Sequence, residues 1–528
     1  MQKFLETLDE FAGIATGSAI VVWLERAAFV FLIIMLAAAP HSIAATQTAW
    51  ITGMFLWVVR LFFRPRVKLR FGALDYVLWG FFAWSTISSF LSYEPAVSLD
   101  RLRGAALFLI VYFVLYNLRN LRAVYFAAGV LIFSCMVNVC VTVVDRAVGR
   151  GVAVHGLRPD SPLAKAGLLE NDAVFKVNDK KVSNPDDLAA ALSQTLKSRV
   201  RAYRKDYEVV VDLERANILP GTTAMEQIGF ANWGRTRNWR ASGFYGHYTT
   251  YAEVLQLIAS LALGLLVAGF FSGRKPKDKP ANEHRPNIAF ADLLVSVAGM
   301  AVALLLTVTR ASQLGLLVSG LAIFILGASR RWLILAFAVG IPTVLIGLFI
   351  LQQSREVGFF DPNDLSTQYR QMMWNDGVRL WTESPRRLIV GVGMDSIQKH
   401  WQEWQMFDKG WQPMGHFHST PIQLLAERGL PALIFWLAIL GIYVRKLFRG
   451  LNLRGRRQNP AAGSDPDWRS TGILLGCLGG TVGFFTSGLV HYNLGDQEVA
   501  MVFYVLIGIG LKVCNSGDGQ RFDGTVAG

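Results

Sequence analysis

Apolar runs long enough to cross a membrane recur near residues 15–39, 42–63, 73–92, 99–117 and 122–146, and again near 248–272, 288–308, 311–328, 332–351, 420–444, 470–490 and 496–512. A transmembrane helix needs roughly 20 apolar residues to cover ~30 Å of hydrocarbon, so the pattern predicts a polytopic α-helical membrane protein of about 12 spans. Two polar stretches interrupt it, after the fifth and the ninth run. The predicted organisation is therefore spans one to five over 1–149, a small domain over 150–215, spans six to nine over 216–351, a long loop over 352–419, and spans ten to twelve with a tail over 420–528. The polar start (Gln2, Lys3, Glu6, Asp9, Glu10) leads into an apolar run too long for a cleavable signal, so the first span is expected to remain as an anchor.

The first polar stretch has its own pattern: an extended start at 151–157, a turn at Pro159, Asp160 and Ser161, a short helix, then alternation over 172–178. Asn184-Pro185-Asp186 reads as a capped helix start, and the runs 199–204 and 207–213 flank a turn, as in a hairpin. These elements make a small α/β unit. Gly151-Val152-Ala153-Val154, Ser161-Pro162-Leu163-Ala164-Lys165-Ala166-Gly167-Leu168 and Asp172-Ala173-Val174-Phe175-Lys176-Val177-Asn178 together resemble a bacterial protease-associated PDZ domain. That resemblance implies a groove taking an extended peptide by strand addition, with backbone N–H groups of Gly151, Val152, Ala153 and Val154 on its terminal carboxylate. Arg150 and Ala153 depart from the usual loop, and a rigid packing module is the alternative role.

Composition supports the membrane class, with 52% hydrophobic and 17% charged residues. The net charge of +14 changes meaning once it is located. Arg64, Arg66, Lys68 and Arg70, then Arg119 and Arg122, then Arg274, Lys275, Lys277 and Lys279, then Arg330 and Arg331, then the basic run 445–457 all fall on one side if both termini are cytoplasmic. The connections at 40–42, 92–98, 309–312 and 491–495 carry few basic residues and belong on the far side with both polar stretches. The charge is thus a topology signal, which argues against a nucleic-acid partner. Cys135, Cys140, Cys477 and Cys514 avoid the polar stretches, so no disulfide framework is expected.

Candidate chemistry gathers on that far side. The long loop interleaves Trp374, Trp381, Trp401, Trp404 and Trp411 with Arg355, Arg370, Arg379, Arg386 and Arg387, and 368–381 reads as an amphipathic helix. The tryptophans suit a bilayer interface. The arginines oppose the bias that orients the rest of the chain, which calls for an anion. Arg240 precedes the sixth span, and Arg310 stands between the seventh and eighth. Either arginine can snorkel to lipid headgroups, or both can join Arg370 on one diphosphate, since guanidinium forks bind phosphate oxygens bidentately. The loop ends in His416-Phe417-His418 before Pro421, which places His418 at the outer mouth of a helix. No Cys or paired carboxylates complete a metal site there. Neutral imidazole can take a proton from a sugar hydroxyl.

Arg240-Ala241-Ser242-Gly243, Thr309-Arg310-Ala311-Ser312, Arg370, and His418 leading into Gln423-Leu424-Leu425-Ala426-Glu427-Arg428-Gly429-Leu430-Pro431 resemble, in order and sidedness, the O-antigen ligase and polymerase superfamily. The resemblance implies a cofactor-free, metal-free glycosyltransferase of the bacterial inner membrane, acting on its periplasmic face. His418 would be the general base, and Arg240, Arg310 and Arg370 would hold an undecaprenyl-diphosphate glycan donor, with His416, Arg379, Glu427 and His247 as supporting candidates. Ser419 and His247 stand where the family often has Asn. Lipid A core is the first expectation for the acceptor, ahead of a second lipid-linked glycan (polymerase) or a protein hydroxyl; membrane lipids and a peptide for the PDZ-like domain are further partners. A PDZ-bearing scaffold or transporter is the competing class. Ionisable residues inside spans would favour a transporter, and the Glu25-Arg26 pair is the main example. Asp465-Pro466-Asp467, the best candidate for nucleotide-sugar chemistry, reads as an ordinary turn on the opposite side.

Overall fold

A computed structural model describes residues 2–14, 17–205, 207–215, 218–272, 287–329, 331–334, 338, 365–412, 414–457 and 467–517. The basic turn from Arg274 to Lys279, most of the 332–351 run, the loop segment 352–364 with Arg355, Asp465-Pro466, and the tail from 518 fall outside the described residues. The chain divides into two compact units, one made of 1–136, 249–301 and 310–528, the other of 137–248 and 302–309.

Helices in chain order are α1 (Gln2–Ala12), α2 (Ala19–Ala38), α3 (Ile43–Leu61), α4 (Ala73–Phe90), α5 (Pro95–Ala105), α6 (Leu109–Asn117), α7 (Leu121–Val148), α8 (Pro162–Lys165), α9 (Pro185–Ser193), α10 (Ala224–Ile228), α11 (Tyr248–Ser272), α12 (Asn287–Leu306), α13 (Arg310–Gly327), α14 (Leu365–Thr382), α15 (Pro385–Val390), α16 (Thr420–Arg457), α17 (Trp468–Gly488) and α18 (Gln497–Gly517). Every predicted apolar run outside 332–351 is thus helical. Among the described residues, 7 helices are long and apolar enough to span a membrane: α2, α7, α11, α13, α16, α17 and α18. The larger sequence count included α3 and α4, whose apolar content is diluted by Thr46, Arg60, Ser85, Ser88 and Ser89, all buried. It also included 99–117, which breaks at a 3₁₀ turn, Ala106–Phe108.

Small residues set the helix packing of the larger unit. A Cβ on Gly264 of α11 would lie 2.3 Å from the Gly476 nitrogen of α17, so the two backbones touch as only glycine allows. Ser319 of α13 donates to Ser260 of α11 at 2.6 Å. The adjacent ionisable residues Glu25 and Arg26 have different partners. Glu25, buried, takes Arg60 and Arg119, each at 2.7 Å, whereas Arg26 pairs with Asp9 at 2.6 Å. Successive helix residues point about 100° apart, so neighbours in sequence rarely face one another.

α16 is broken at Gly429 (φ 73, ψ −178). Pro431 has no N–H for the carbonyl of Glu427 four residues back. Backbone from the preceding loop takes over: Gly393 N–H donates to Glu427 O at 2.8 Å and Val392 N–H to Ala426 O at 2.9 Å. Trp84 Nε1 donates to Arg428 O at 2.8 Å.

The smaller unit carries the expected α/β insert. Its strands are β1 (Arg150–Leu157), β2 (Ala173–Val177), β3 (Lys180–Lys181), β4 (Lys197–Arg204), β5 (Tyr207–Glu214) and β6 (Phe230–Thr236), in sheet order β5-β4-β2-β1-β6 with β3 on β2. The predicted hairpin is β4–β5, with Arg204 opposite Tyr207. Val152, Val154, Leu163, Val174, Val200 and Phe230 share its core. Asn184 and Ser161 cap α9 and α8 through their side chains, accepting from Asp187 N–H at 2.8 Å and Leu163 N–H at 3.1 Å. The sheet runs past the expected end at 215. A capping box of Thr223 and Glu226 starts α10, which leads into β6 along β1.

Candidate functional site

In the larger unit, the loop entering α16 is pinned by one buried side chain. Phe417 is fully buried among Met373 and Leu380 of α14 and Phe407. Its N–H donates to Gln423 Oε1 at 2.8 Å, Gln423 Nε2 donates to Glu427 Oε1 at 2.9 Å, and the same oxygen accepts Asp395 N–H at 2.9 Å. The apolar anchor leaves His416 and His418 to meet each other, ring centroids 4.1 Å apart. His418 adopts φ 48, a left-handed conformation uncommon for a non-glycine residue, and its N–H donates to His416 Nδ1 at 3.3 Å.

A third histidine joins them from the turn between α17 and α18. Thr420 donates its hydroxyl to His491 O at 3.1 Å and to Asn493 Oδ1 at 2.9 Å, and its N–H to His491 O at 3.2 Å. Asn493 Nδ2 in turn donates to Phe484 O at 2.7 Å and Ser487 Oγ at 3.1 Å. This staple sets the His491 ring 5.7 Å from His418 and 6.2 Å from His416. His491 Nδ1 stands 3.0 Å from Glu253 Oε1 of α11, whose side chain is 1% exposed. Burial alone would lower the His491 imidazole, but the Glu253 carboxylate, with Asp496 adding to it, holds it above its ordinary value, while the Arg370 charge pulls it down. Arg370 therefore lies within electrostatic reach of the histidine cluster.

Arg310 is the first residue of α13, in the same unit. Five residues deeper, Gly315 packs against Gly483, Ser487 and Gln256. At ~1.5 Å rise per residue, Arg310 sits about 7 Å nearer the end of the bundle where α17 stops and His491 follows. Arg240 belongs to the other unit. There its guanidinium lies 4.6 Å over the Tyr248 ring, its buried Nε has no hydrogen-bond partner among the described residues, and Ala241 N–H donates to Leu306 O at 2.9 Å. His247, exposed, stacks on Tyr248 at 4.6 Å.

Other loop arginines are engaged by the loop itself. Arg379 Nη2 donates to Trp404 O and Gln405 O at 3.2 and 3.0 Å and pairs with Asp376, holding the left-handed turn at 405–409. Arg386 and Arg387 lie over the Tyr93 ring at 4.6 and 5.2 Å, and Arg387 pairs with Glu383. The tryptophans divide in the same way: Trp401 and Trp404 pack into the core under α14, and Trp411 is 82% exposed. Among the described residues, no group of three or more His, Cys, Asp and Glu is arranged to hold a metal ion.

In the PDZ-like sheet, the expected carboxylate loop is differently employed. Val152, Ala153 and Val154 are buried in β1, an interior strand paired with β2 on one edge and β6 on the other. Val154 N–H donates to Asp172 O at 3.0 Å. Strand addition requires an unpaired edge, and the edges of this sheet are β5 and β6. The extra strand, absent from the predicted domain, makes β1 interior and leaves β6 as the edge beside it.

The fold and these sites define a multi-pass membrane protein with an inserted PDZ domain; residues 154–201 match the family model described as PDZ domain. Residues 295–437 match the model described as O-Antigen ligase, a segment that takes in Arg310, Arg370, His418 and Glu427. A 46-residue stretch is 41% identical to the magnetosome formation protease MamE of Magnetospirillum gryphiswaldense, covering 9% of this chain and 6% of that protein.

His491 and Glu253 escaped the sequence reading. The signal was present in Glu253, a carboxylate six residues into an apolar run, which marks a functional position more reliably than a lone histidine in a short turn.

Proposed function

We propose that the protein is a glycosyltransferase that moves a glycan from an undecaprenyl-diphosphate donor to an acceptor hydroxyl on the periplasmic face of the inner membrane, acting as an O-antigen ligase with lipid A core as acceptor. One observation carries the reading: within the segment matching the O-antigen ligase family, His418 stands in a histidine cluster at the mouth of α16 that also feels the charge of Arg370. His418 takes the proton of the acceptor hydroxyl, which attacks the anomeric carbon as the diphosphate departs, inverting that centre. Arg370 and Arg310 hold the diphosphate through charge-assisted hydrogen bonds. A diphosphate is already a good leaving group, so a base and cations suffice and no cofactor is required. The PDZ domain takes an extended peptide along β6, beside the buried Ile228 and Phe230.

Lipid and polysaccharide analysis of a deletion strain tests the reading. Long lipid-linked chains without transfer to lipid A core are expected of a lost ligase; accumulated single repeats would instead indicate a polymerase. Restoration of surface glycan by His418→Ala would remove His418 as the base.

A further inference from the structure

The buried pair Glu253 and His491 takes no part in that scheme, yet the fold invests heavily in it. Glu253 is 1% exposed at its side chain, and both its carboxylate oxygens, like the His491 Nδ1 that faces them at 3.0 Å, are buried without a hydrogen bond of good geometry among the described residues. His491 is held through its own carbonyl by Thr420, so its backbone is placed independently of the charge on its ring. A buried carboxylate stays charged only with a cation beside it, and among the described residues Nδ1 of His491 stands 3.0 Å away. The ring's neighbours come from each element around it: Glu253 from α11, Arg370 from α14, His416 and His418 from the loop before α16, and Tyr492 and Asp496 from its own turn.

Resting on the transfer reading, we propose that Glu253 and His491 are a positioning pair: Glu253 keeps His491 an imidazolium, and that fixed positive charge 5.7 Å from His418 keeps His418 neutral and able to accept the acceptor's proton. Against burial, which disfavours the charged ring, the Glu253 carboxylate moves the His491 imidazole above its ordinary value. By Coulomb's law over this separation, with an effective dielectric between ~80 and ~20, one such charge opposes a second proton by the equivalent of about 0.5 to 2 pH units. His491 thereby acts through His418 rather than on the substrate.

The test uses the full-length protein in lipid nanodiscs with isotope-labelled histidine, titrated by NMR, together with the pH–rate profile of glycan transfer from a lipid diphosphate donor. His491→Gln removes the charge, and Glu253→Gln removes what sustains it. Both should raise the His418 midpoint, and the acid limb of the rate profile with it, by about 0.5 to 2 units. The double variant should go no further than His491→Gln alone, and His491→Arg should keep the wild-type limb. A His418 midpoint unchanged in Glu253→Gln and His491→Gln overturns the proposal, as does a moved midpoint with an unmoved acid limb. The midpoints are read without turnover. Absence of transfer by the wild-type protein would therefore count against the transferase reading, while the titration still decides the electrostatic pair.

Discussion

Replacing Gly429 by alanine tests whether the Glu427-Arg428-Gly429-Leu430-Pro431 motif is a docking device or part of the chemistry. With φ 73 and ψ −178, the position lies in a backbone region that costs a side-chain-bearing residue about 1–3 kcal/mol. The new Cβ would stand 2.0 Å from Ile389 O, so the 389–393 segment must move away. That movement breaks Val392 N–H to Ala426 O and Gly393 N–H to Glu427 O, each contributing about 1 kcal/mol and more where the acceptor stays buried. The combined loss is roughly 3–5 kcal/mol, a large share of an ordinary margin of ~5–15 kcal/mol. Heating detergent-purified full-length protein and following the folded fraction by size exclusion should show Gly429→Ala unfolding well below the wild type. Glu427→Gln, which retains an oxygen for the Asp395 and Gln423 N–H groups, should stay close to wild type in both stability and transfer. A Gly429→Ala protein as stable as wild type would refute the docking argument, and an inactive but stable Glu427→Gln would return Glu427 to the chemistry.

Asn493→Ala removes the amide that ties the His491 turn to α17, so the acid limb of glycan transfer should rise by no more than the about 0.5 to 2 units expected of His491→Gln; initial rates in reconstituted vesicles across pH check it. Arg379→Ala frees the carbonyls of Trp404 and Gln405 at the start of the 405–409 turn and should cost about 1 kcal/mol, seen as faster limited proteolysis there. In the PDZ domain, the N–H groups of Leu157 and Gly156 hold the Glu170 carboxyl below its ordinary 4.5. A depressed folded pKa stabilises above the unfolded value, so this link is complete above about pH 4.5 and is lost as pH falls through the folded value. Amide exchange at Gly156 and Leu157 should accelerate in that acidic window, and Glu170→Gln should blunt the pH dependence. Peptides that occupy the domain should slow exchange in β6 and leave the already paired β1 unchanged, as hydrogen–deuterium exchange of the full chain will show.

The parts of the molecule written in local pattern were legible in the sequence. Apolar length located the helices, Ser161, Asn184 and the 207–213 alternation located the PDZ elements, and Pro421 located the start of α16. The motif order also brought His418, Arg310 and Arg370 into one matched segment. What escaped depends on pairing between distant residues. β6 follows the expected domain end and finds β1 across 70 or so residues of chain, with no local mark of its destination. Glu25 stood out only as an ionisable residue inside a span, and its partners Arg60 and Arg119 lie 35 and 94 residues away in the chain. His491 and His418 meet because Thr420 and Asn493 are hydrogen-bonded, a relation no single stretch of sequence contains.

The same distinction separates scaffold from chemistry among the residues first singled out together. Arg379, Arg386 and Arg387 spend their charge on loop carbonyls, aromatic faces and a glutamate, and Glu427 and Gln423 form a chain of hydrogen bonds from Phe417 to Asp395. These contacts satisfy polar groups that a buried loop must satisfy to exist at all. His416, His418 and His491 instead meet one another across rings, with Glu253 and Arg370 acting on them from opposite signs. A cluster of titratable rings held by a left-handed His418 is costly to maintain. A fold bears that cost where proton placement matters, so the motif's conspicuous carboxylate, Glu427, belongs to the frame, and the acid that bears on the proton is Glu253 in a different helix.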